Sequence, residues 1–136
     1  MIVADTNLIA YFMIDGSHTA TARAVFVRDP HWAAPILWRS EFRNVLTSYM
    51  HRREIGLTDA LLLQAETEAF MAGREHVVQS RRALQLAADS GCSAYDCEFV
   101  ALAEFLGVRL VTSDSSIVQS FPGIAATPEV FASPAA

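Results

Sequence analysis

Short apolar runs alternate with longer segments of helical periodicity along this chain, and that alternation leaves few folds open. Residues 2–4, 31–34, 76–79, 108–112 and 124–127 read as brief strands, bounded by polar or turn-forming residues. Between them the apolar positions recur at helical spacing. Parallel neighbours need a long crossover, and a helix supplies one. The expected class is therefore α/β, a mainly parallel sheet with helices on both faces. Right-handed crossovers place every strand-to-helix junction on one edge of such a sheet, where ligands of this architecture bind.

Punctuation sets the expected element boundaries. Leu8, Ile9 and Phe12 mark the first helix face, and Ser17 is read as the cap of a helix through about Val27, stopped by Pro30. A helix over about Ser40 to Arg53 carries Phe42, Val45, Leu46, Tyr49 and Met50 inward. Thr58 and Asp59 are expected to cap the next, from Ala60 to Met71, burying Leu61, Leu62, Ala65, Ala69 and Phe70. From Arg81 to Ser90 the inward set is Leu84, Ala87 and Ala88, with Gly91 closing the helix. Ser93 and Asp96 then form a capping-box-like start, and Phe99, Val100, Ala103 and Leu106 make the inner face before Gly107. A short helix follows from Ser115 to about Phe121, and the proline-containing tail is expected to fray beyond Phe131.

With 136 residues, 52% hydrophobic and 18% charged, the chain is expected to fold as one domain rather than stay disordered. No apolar run approaches bilayer length, and no basic leader precedes the strand at residue 2, so a cytoplasmic location is expected. Cys92 and Cys97 stand at neither a redox nor a zinc spacing. His18, His31, His51 and His76 are scattered and are assigned to no metal. The net charge of −5 speaks at first sight against nucleic acid, although all ten basic residues are arginines, suited to bidentate phosphate contacts.

The charge total has to be weighed against where the acids lie. Asp5 follows the first strand and Asp114 the strand at 108–112, while Glu41 and Asp96 occupy the first turns of their helices. Each alone is explained by capping or by the helix dipole. Together on one edge they form a cluster that capping does not require. At ~6 Å and an effective dielectric near 20, each ionised pair costs roughly 2–3 kcal/mol. A hard divalent cation, Mg²⁺ or Mn²⁺, relieves that repulsion through oxygen ligands, and it turns an acidic cup into a place for phosphate.

The runs MIVADTN, Ser40-Glu41-Phe42 with Asn44-Val45-Leu46, Ala94-Tyr95-Asp96-Cys97 leading into Phe99 to Glu104, and Leu110-Val111-Thr112-Ser113-Asp114 together resemble a PIN-domain ribonuclease, most of all the VapC toxins of bacterial toxin–antitoxin pairs. The resemblance runs in order from residue 1 to about 131. It implies a three-layer α/β/α sandwich as a single domain over 1–131, leaving 132–136 as a frayed tail. It also implies an endoribonuclease that hydrolyses RNA phosphodiesters with a metal-activated water. Asp5, Glu41, Asp96 and Asp114 match the family's acidic quartet. Asp5 and Asp96 match direct ligands of Mg²⁺ or Mn²⁺, and Glu41 and Asp114 ligands that act directly or through water. Asn7, Thr112 and Ser113 match supporting positions. A homodimer and a cognate antitoxin whose tail enters the cleft are implied partners. Many relatives carry a further acid or a lysine where this chain has Ser115 and Ser116. Arg39, Arg43, Arg52, Arg53, Arg81 and Arg82 are the arginines available to RNA, each also explained as a solvated helix face.

Other readings share the same residues. A PIN nuclease that processes RNA without being a toxin differs in no motif. A phosphoaspartate enzyme or receiver domain also places an acid after its first strand, but such chemistry uses a lysine, of which the chain has none, and Asn7 stands where a phosphatase of that type needs a second aspartate. A non-catalytic module of the same fold would not need all four acids.

Overall fold

The computed structural model describes residues 1–134. Its elements in order are β1 (Ile2–Ala4), α1 (Thr6–Met13), α2 (Thr19–Arg28), β2 (Trp32–Pro35), α3 (Trp38–His51), α4 (Leu57–Met71), β3 (Glu75–His76), α5 (Ser80–Ser90), α6 (Ala94–Leu106), β4 (Arg109–Val111), α7 (Ser115–Ser120), β5 (Ala125–Ala126) and α8 (Pro128–Ala132). The strands form one sheet in the order β3-β2-β1-β4-β5, every neighbouring pair parallel. Helices flank it in an α/β/α sandwich, as the alternation of elements requires.

Strand β1 is the centre of the sheet, and all three of its residues are buried. Ile2 lies opposite Trp32 on one side and Arg109 on the other, and Ala4 lies opposite Val111. From β1 the chain moves outward through β2 to β3, then returns to β4 on the far side of β1. That reversal opens a crevice at the carboxyl ends of β1 and β4, the usual ligand position in such sheets. Asp5 N–H donates to the Val111 carbonyl at 3.1 Å, so the residue after β1 is held beside the end of β4.

Large side chains anchor the layers. Helix α6 packs across β1, β2 and β4, with α5 against it. Phe12, Phe26 and Phe70 surround the fully buried Trp32, with ring centroids 5.1, 5.8 and 6.1 Å from it. Trp38 and Phe42 pack edge-on at 5.8 Å. Complete burial of a side chain of this size contributes about 2–3 kcal/mol. Gly91 and Gly107 end α5 and α6 at φ 75° and 68°, a conformation that disfavours other residues.

Several local expectations are corrected. Ser17 caps nothing, and α2 begins at Thr19. The Thr19 hydroxyl accepts from Gly16 N–H and donates to the carbonyls of Tyr11 and Ile14, closing the turn itself. Helix α3 starts at Trp38 rather than Ser40, because the buried indole is drawn in and donates to Glu75. Helix α4 starts at Leu57, where Asp59 Oδ2 accepts from Gly56 N–H, and Thr58 is not its cap. Its buried stripe is Ala60, Thr67 and Met71, leaving Leu61 and Leu62 63% and 58% exposed. The helix carries apolar residues on two stripes at the same spacing, and α3 covers the other one. Helix α5 buries Ala83 and Leu86, not Leu84. Strand β3 is confined to Glu75 and His76, since β2 reaches only far enough to pair there.

Helical structure continues one residue past Phe131. Helix α8 runs to Ala132, and Arg28 donates to the carbonyls of Phe131 and Ser133. The rest of the expected frayed tail, residues 135 and 136, lies outside the described residues.

Candidate active site

Asp5 is positioned first, by the strand it ends and the helix it starts. Its carboxylate caps α1, with Oδ1 accepting from Leu8 N–H at 2.7 Å. Oδ2 accepts from the Thr112 hydroxyl at 2.7 Å and from Ser113 N–H at 3.1 Å, so the end of β4 grips the same group. Capping explains one of these three bonds and leaves two to tertiary structure. Thr112 also accepts from Asp114 N–H, and the Asn7 amide donates to the Ser113 hydroxyl at 3.2 Å. The three supporting residues expected from the sequence thus tie Asp5 to Asp114.

The other acids arrive from separate elements. Glu41, in the first turn of α3, accepts from the Thr6 hydroxyl at 2.7 Å. Asp96 sits in the first turn of α6, where Ser93 accepts from its N–H at 3.0 Å. Asp114 caps α7 through Ser116 and Ile117, and the Ser116 hydroxyl donates to its Oδ1 at 2.6 Å. Ser116, which stands where many relatives carry another group, here fixes the orientation of the last acid.

All four carboxylates line one cup of about 460 Å³. Leu37, Val45, Phe99, Leu110 and Ile117 form its apolar floor and walls, and no lysine, arginine or histidine lines it. The acids therefore feel one another. Burial pushes Asp5 above the ordinary carboxylate range, against the pull of its hydrogen bonds, and Asp114 adds to the rise. Burial likewise raises Glu41, with the charges of Asp96, Asp5 and Glu98 acting in the same direction. Asp96 is raised by burial and by Asp114. Asp114 alone goes down, because the Ser116 hydroxyl and two backbone N–H groups stabilise its charge.

Some lining residues escaped the sequence reading as site residues. Ser40 and Asn44 flank Glu41 on α3, and their one-turn spacing could have placed them on its face. Thr6 follows Asp5 directly, and Tyr95, 62% exposed, stands at the rim before Asp96. Glu98, whose charge acts on Glu41 although it does not line the cup, carries no signal at all, being one polar residue among the apolar positions of α6.

The family model described as PIN domain matches residues 2–119. The chain belongs to the PIN domain family. A chain of a "Toxin-antitoxin complex from Klebsiella pneumoniae" has a similar fold, with a TM-score of 0.67 and 18% identity, covering 94% of this chain and 98% of that one. Comparison with curated proteins gives no match. PIN domains are typically nucleases, generally with divalent metals. Among the described residues no three His, Cys, Asp or Glu side chains are gathered tightly enough to make a ready metal site. The donor chemistry nevertheless fits a hard cation. This PIN domain presents carboxylate oxygens from four elements, mutually repelling and facing no basic side chain, and oxygen donors of that kind suit Mg²⁺ or Mn²⁺.

Proposed function

We propose that this PIN domain is a Mg²⁺- or Mn²⁺-dependent endoribonuclease and the toxin of a VapBC-type pair. One observation carries the reading: Asp5, Glu41, Asp96 and Asp114, far apart in sequence, line a single cup with no basic side chain in it. Asp5 and Asp96 would hold the cation directly, with Glu41 and Asp114 acting directly or through water. When bound, such a cation supplies a water nucleophile near neutral pH and polarises a phosphoryl oxygen.

The chain's own residues do the positioning. Asp5 is held rigid by Leu8, Thr112 and Ser113, and this pre-sets one carboxylate while the others converge. Ser116 and Thr6 orient Asp114 and Glu41. Burial and the neighbouring acids raise the proton affinity of Glu41 above that of an ordinary carboxylate, the direction that suits a group taking a proton from an attacking water. Attack by water leaves the ribose 2′-hydroxyl out of the reaction. The products carry a 5′-phosphate and a 3′-hydroxyl, and EDTA stops the reaction. Ends bearing 2′,3′-cyclic phosphate, read by mass spectrometry of a cleaved oligonucleotide, would refute the mechanism.

The toxin reading draws support from the fold it shares with the Klebsiella pneumoniae complex. An antitoxin and a second copy of the chain are the partners it calls for. Leu57, Leu61 and Leu62 on α4, with Val77, Leu84 and Phe105 about α5 and α6, are exposed apolar surface that such partners could cover. A single domain over 1–131 in the cytoplasm belongs to the same reading. No helix among the described residues is long and apolar enough to cross a membrane. Growth arrest on expression, relieved by the product of an adjacent small reading frame, tests the toxin assignment.

A further inference from the structure

A second, smaller pocket of about 240 Å³ adjoins the cup and is lined in part by Tyr11, His18, Thr21, Ser113, Pro128 and Glu129. Ser113 joins the two spaces. It lines the small pocket, donates its N–H to Asp5, and accepts from Asn7 with its hydroxyl, and both Asp5 and Asn7 line the cup. A group lodged there lies next to whatever the acids hold.

The pocket contains a built aromatic platform. The rings of Tyr11 and His18 are stacked, centroids 4.4 Å apart and planes at 28°. The turn between α1 and α2 produces that stack, because Thr19, buried, ties Gly16, Ile14 and the carbonyl of Tyr11 together and so folds His18 back over α1. His18 is exposed. Across the pocket stands Glu129 on α8, a helix pinned to α2 by Arg28, whose guanidinium bonds the carbonyls of Phe131 and Ser133 and lies 4.8 Å over the Phe131 ring. The Glu129 carboxylate has no hydrogen-bond or ion-pair partner among the described residues.

We propose that this pocket binds the base of the nucleotide next to the cleaved phosphodiester and prefers guanine. The proposal rests on the nuclease reading for its biological use. The recognition chemistry is independent of it. Stacked aromatic faces take up unpaired bases from single-stranded RNA, and polar groups then read the base edge. A carboxylate offers only acceptors. Guanine presents two adjacent N–H donors on its Watson–Crick edge, which match the two oxygens of Glu129. Uracil presents one donor flanked by carbonyl oxygens that a carboxylate repels. The volume suits a single heterocycle, and the negative charge at Glu129 turns a phosphate away towards the cup.

Two measurements on the full chain test this. In the first, the labelled protein is titrated with guanosine or uridine, nucleosides without phosphate, in EDTA. The ring signals of His18 are expected to move upfield in NMR spectra at least about threefold further with guanosine, and Glu129→Gln to remove the difference. Absence of any His18 shift, or equal shifts for both nucleosides, overturns the pocket's role. In the second, a randomised RNA library is cleaved in Mn²⁺. One position flanking the cut is expected to be enriched in guanine on the order of tenfold, the scale of one stacked and bonded base. Tyr11→Ala, His18→Ala and Glu129→Gln are expected to flatten that preference, read from the base composition at the cut ends of each variant's products at equal extent of cleavage. Preference surviving all three substitutions overturns the inference. If the unmodified protein cleaves nothing, the nuclease reading falls, and the nucleoside titration still decides whether the pocket binds a base.

Discussion

Two groups of acids meet α3 within one turn of each other, one at Arg39 and one at Glu41, and they behave in opposite ways. Beside β3, Glu75 takes both Nε and one Nη of Arg39 at 2.6 and 2.7 Å and the indole N–H of Trp38 at 2.8 Å, while Glu68 takes the other Nη at 3.0 Å. Arg39 holds the Glu75 carboxyl below its ordinary range. In the cup, Glu41 has only the Thr6 hydroxyl and three neighbouring acids, and it is held above that range. Where the chain supplies its own cation, the acids brace the fold. Where it supplies none, they store repulsion that an outside cation relieves. Stability is given up at one end of a helix turn whose other end is braced by an arginine shared between two carboxylates.

Removing a carboxylate from the uncompensated cluster should have the largest effect. Asp96→Asn is expected to lower RNA cleavage on the order of 10³-fold while thermal unfolding stays cooperative. Asp5→Asn should do the same, with a modest loss of stability, because its amide nitrogen cannot accept the bonds that Oδ1 or Oδ2 accepts. Either variant cutting at the full rate would erase the functional distinction between the clusters.

Cation binding sharpens the same contrast. Mn²⁺ at a hundredfold excess over its Kd adds about 2.7 kcal/mol, which raises Tm by roughly 8–12 °C for a chain of this size. Asp96→Asn is expected to abolish the rise and Glu75→Ala to preserve it. A rise of equal size in Asp96→Asn would locate the ion elsewhere.

The contrast between clusters was half legible in the residue order. The cup could be read because its acids stand at element junctions: Asp5 after an apolar triplet, Asp96 three residues beyond Ser93, Asp114 after Leu110-Val111-Thr112. A strand end and a capping pattern are local signals, and the parallel topology then carries all four to one edge. The brace could not be read. Glu75 meets Arg39 and Trp38 only because β3 pairs with β2, and no local pattern announces a pairing of two residues. The same limit explains Leu61, Leu62 and Leu84, where two stripes of equal periodicity competed and the neighbouring helix chose between them. It explains the turn at Thr19 as well, whose hydroxyl is committed to carbonyls on the preceding helix. Thr6, Asn44 and Tyr95 lay beside recognised acids and were visible as sequence, but their approach to the cup depends on helix rotation.

Charge removal from the two clusters should then move stability in opposite directions. Glu75→Ala leaves Arg39 and the buried Trp38 indole without their shared acceptor, and a side chain only 13% exposed is lost, for a cost of about 1–2 kcal/mol in urea unfolding. Glu41→Gln keeps the acceptor for Thr6 and removes a repelled charge, so Tm is expected to rise by roughly 1–3 °C. Destabilisation by Glu41→Gln would mean that the cup, too, is braced from within.

The smallest effect is in the pH profile, where Glu41 and Asp96 in the cup contribute with the opposite sign to the arginine-paired Glu75 and Glu104. Glu41 and Asp96 are raised above ordinary values of 4.5 and 3.8. Just above those values the native state keeps protons that the unfolded chain has lost. Stability therefore falls as pH rises through this window and is regained as pH falls through it. Glu75 and Glu104 are lowered by Arg39 and Arg82, so their contribution is present above the ordinary value and is lost as pH falls through the depressed one. Acidification from neutrality should first raise the unfolding free energy measured in urea, by less than about 1 kcal/mol, and then lower it. The double variant Glu41→Gln, Asp96→Asn should lose the rise and keep the fall. Saturating Mn²⁺ should invert the first limb, because a ligated carboxylate must stay ionised and protons then compete with the ion. A first limb unchanged by either treatment would show that its protons belong to some group outside the cup.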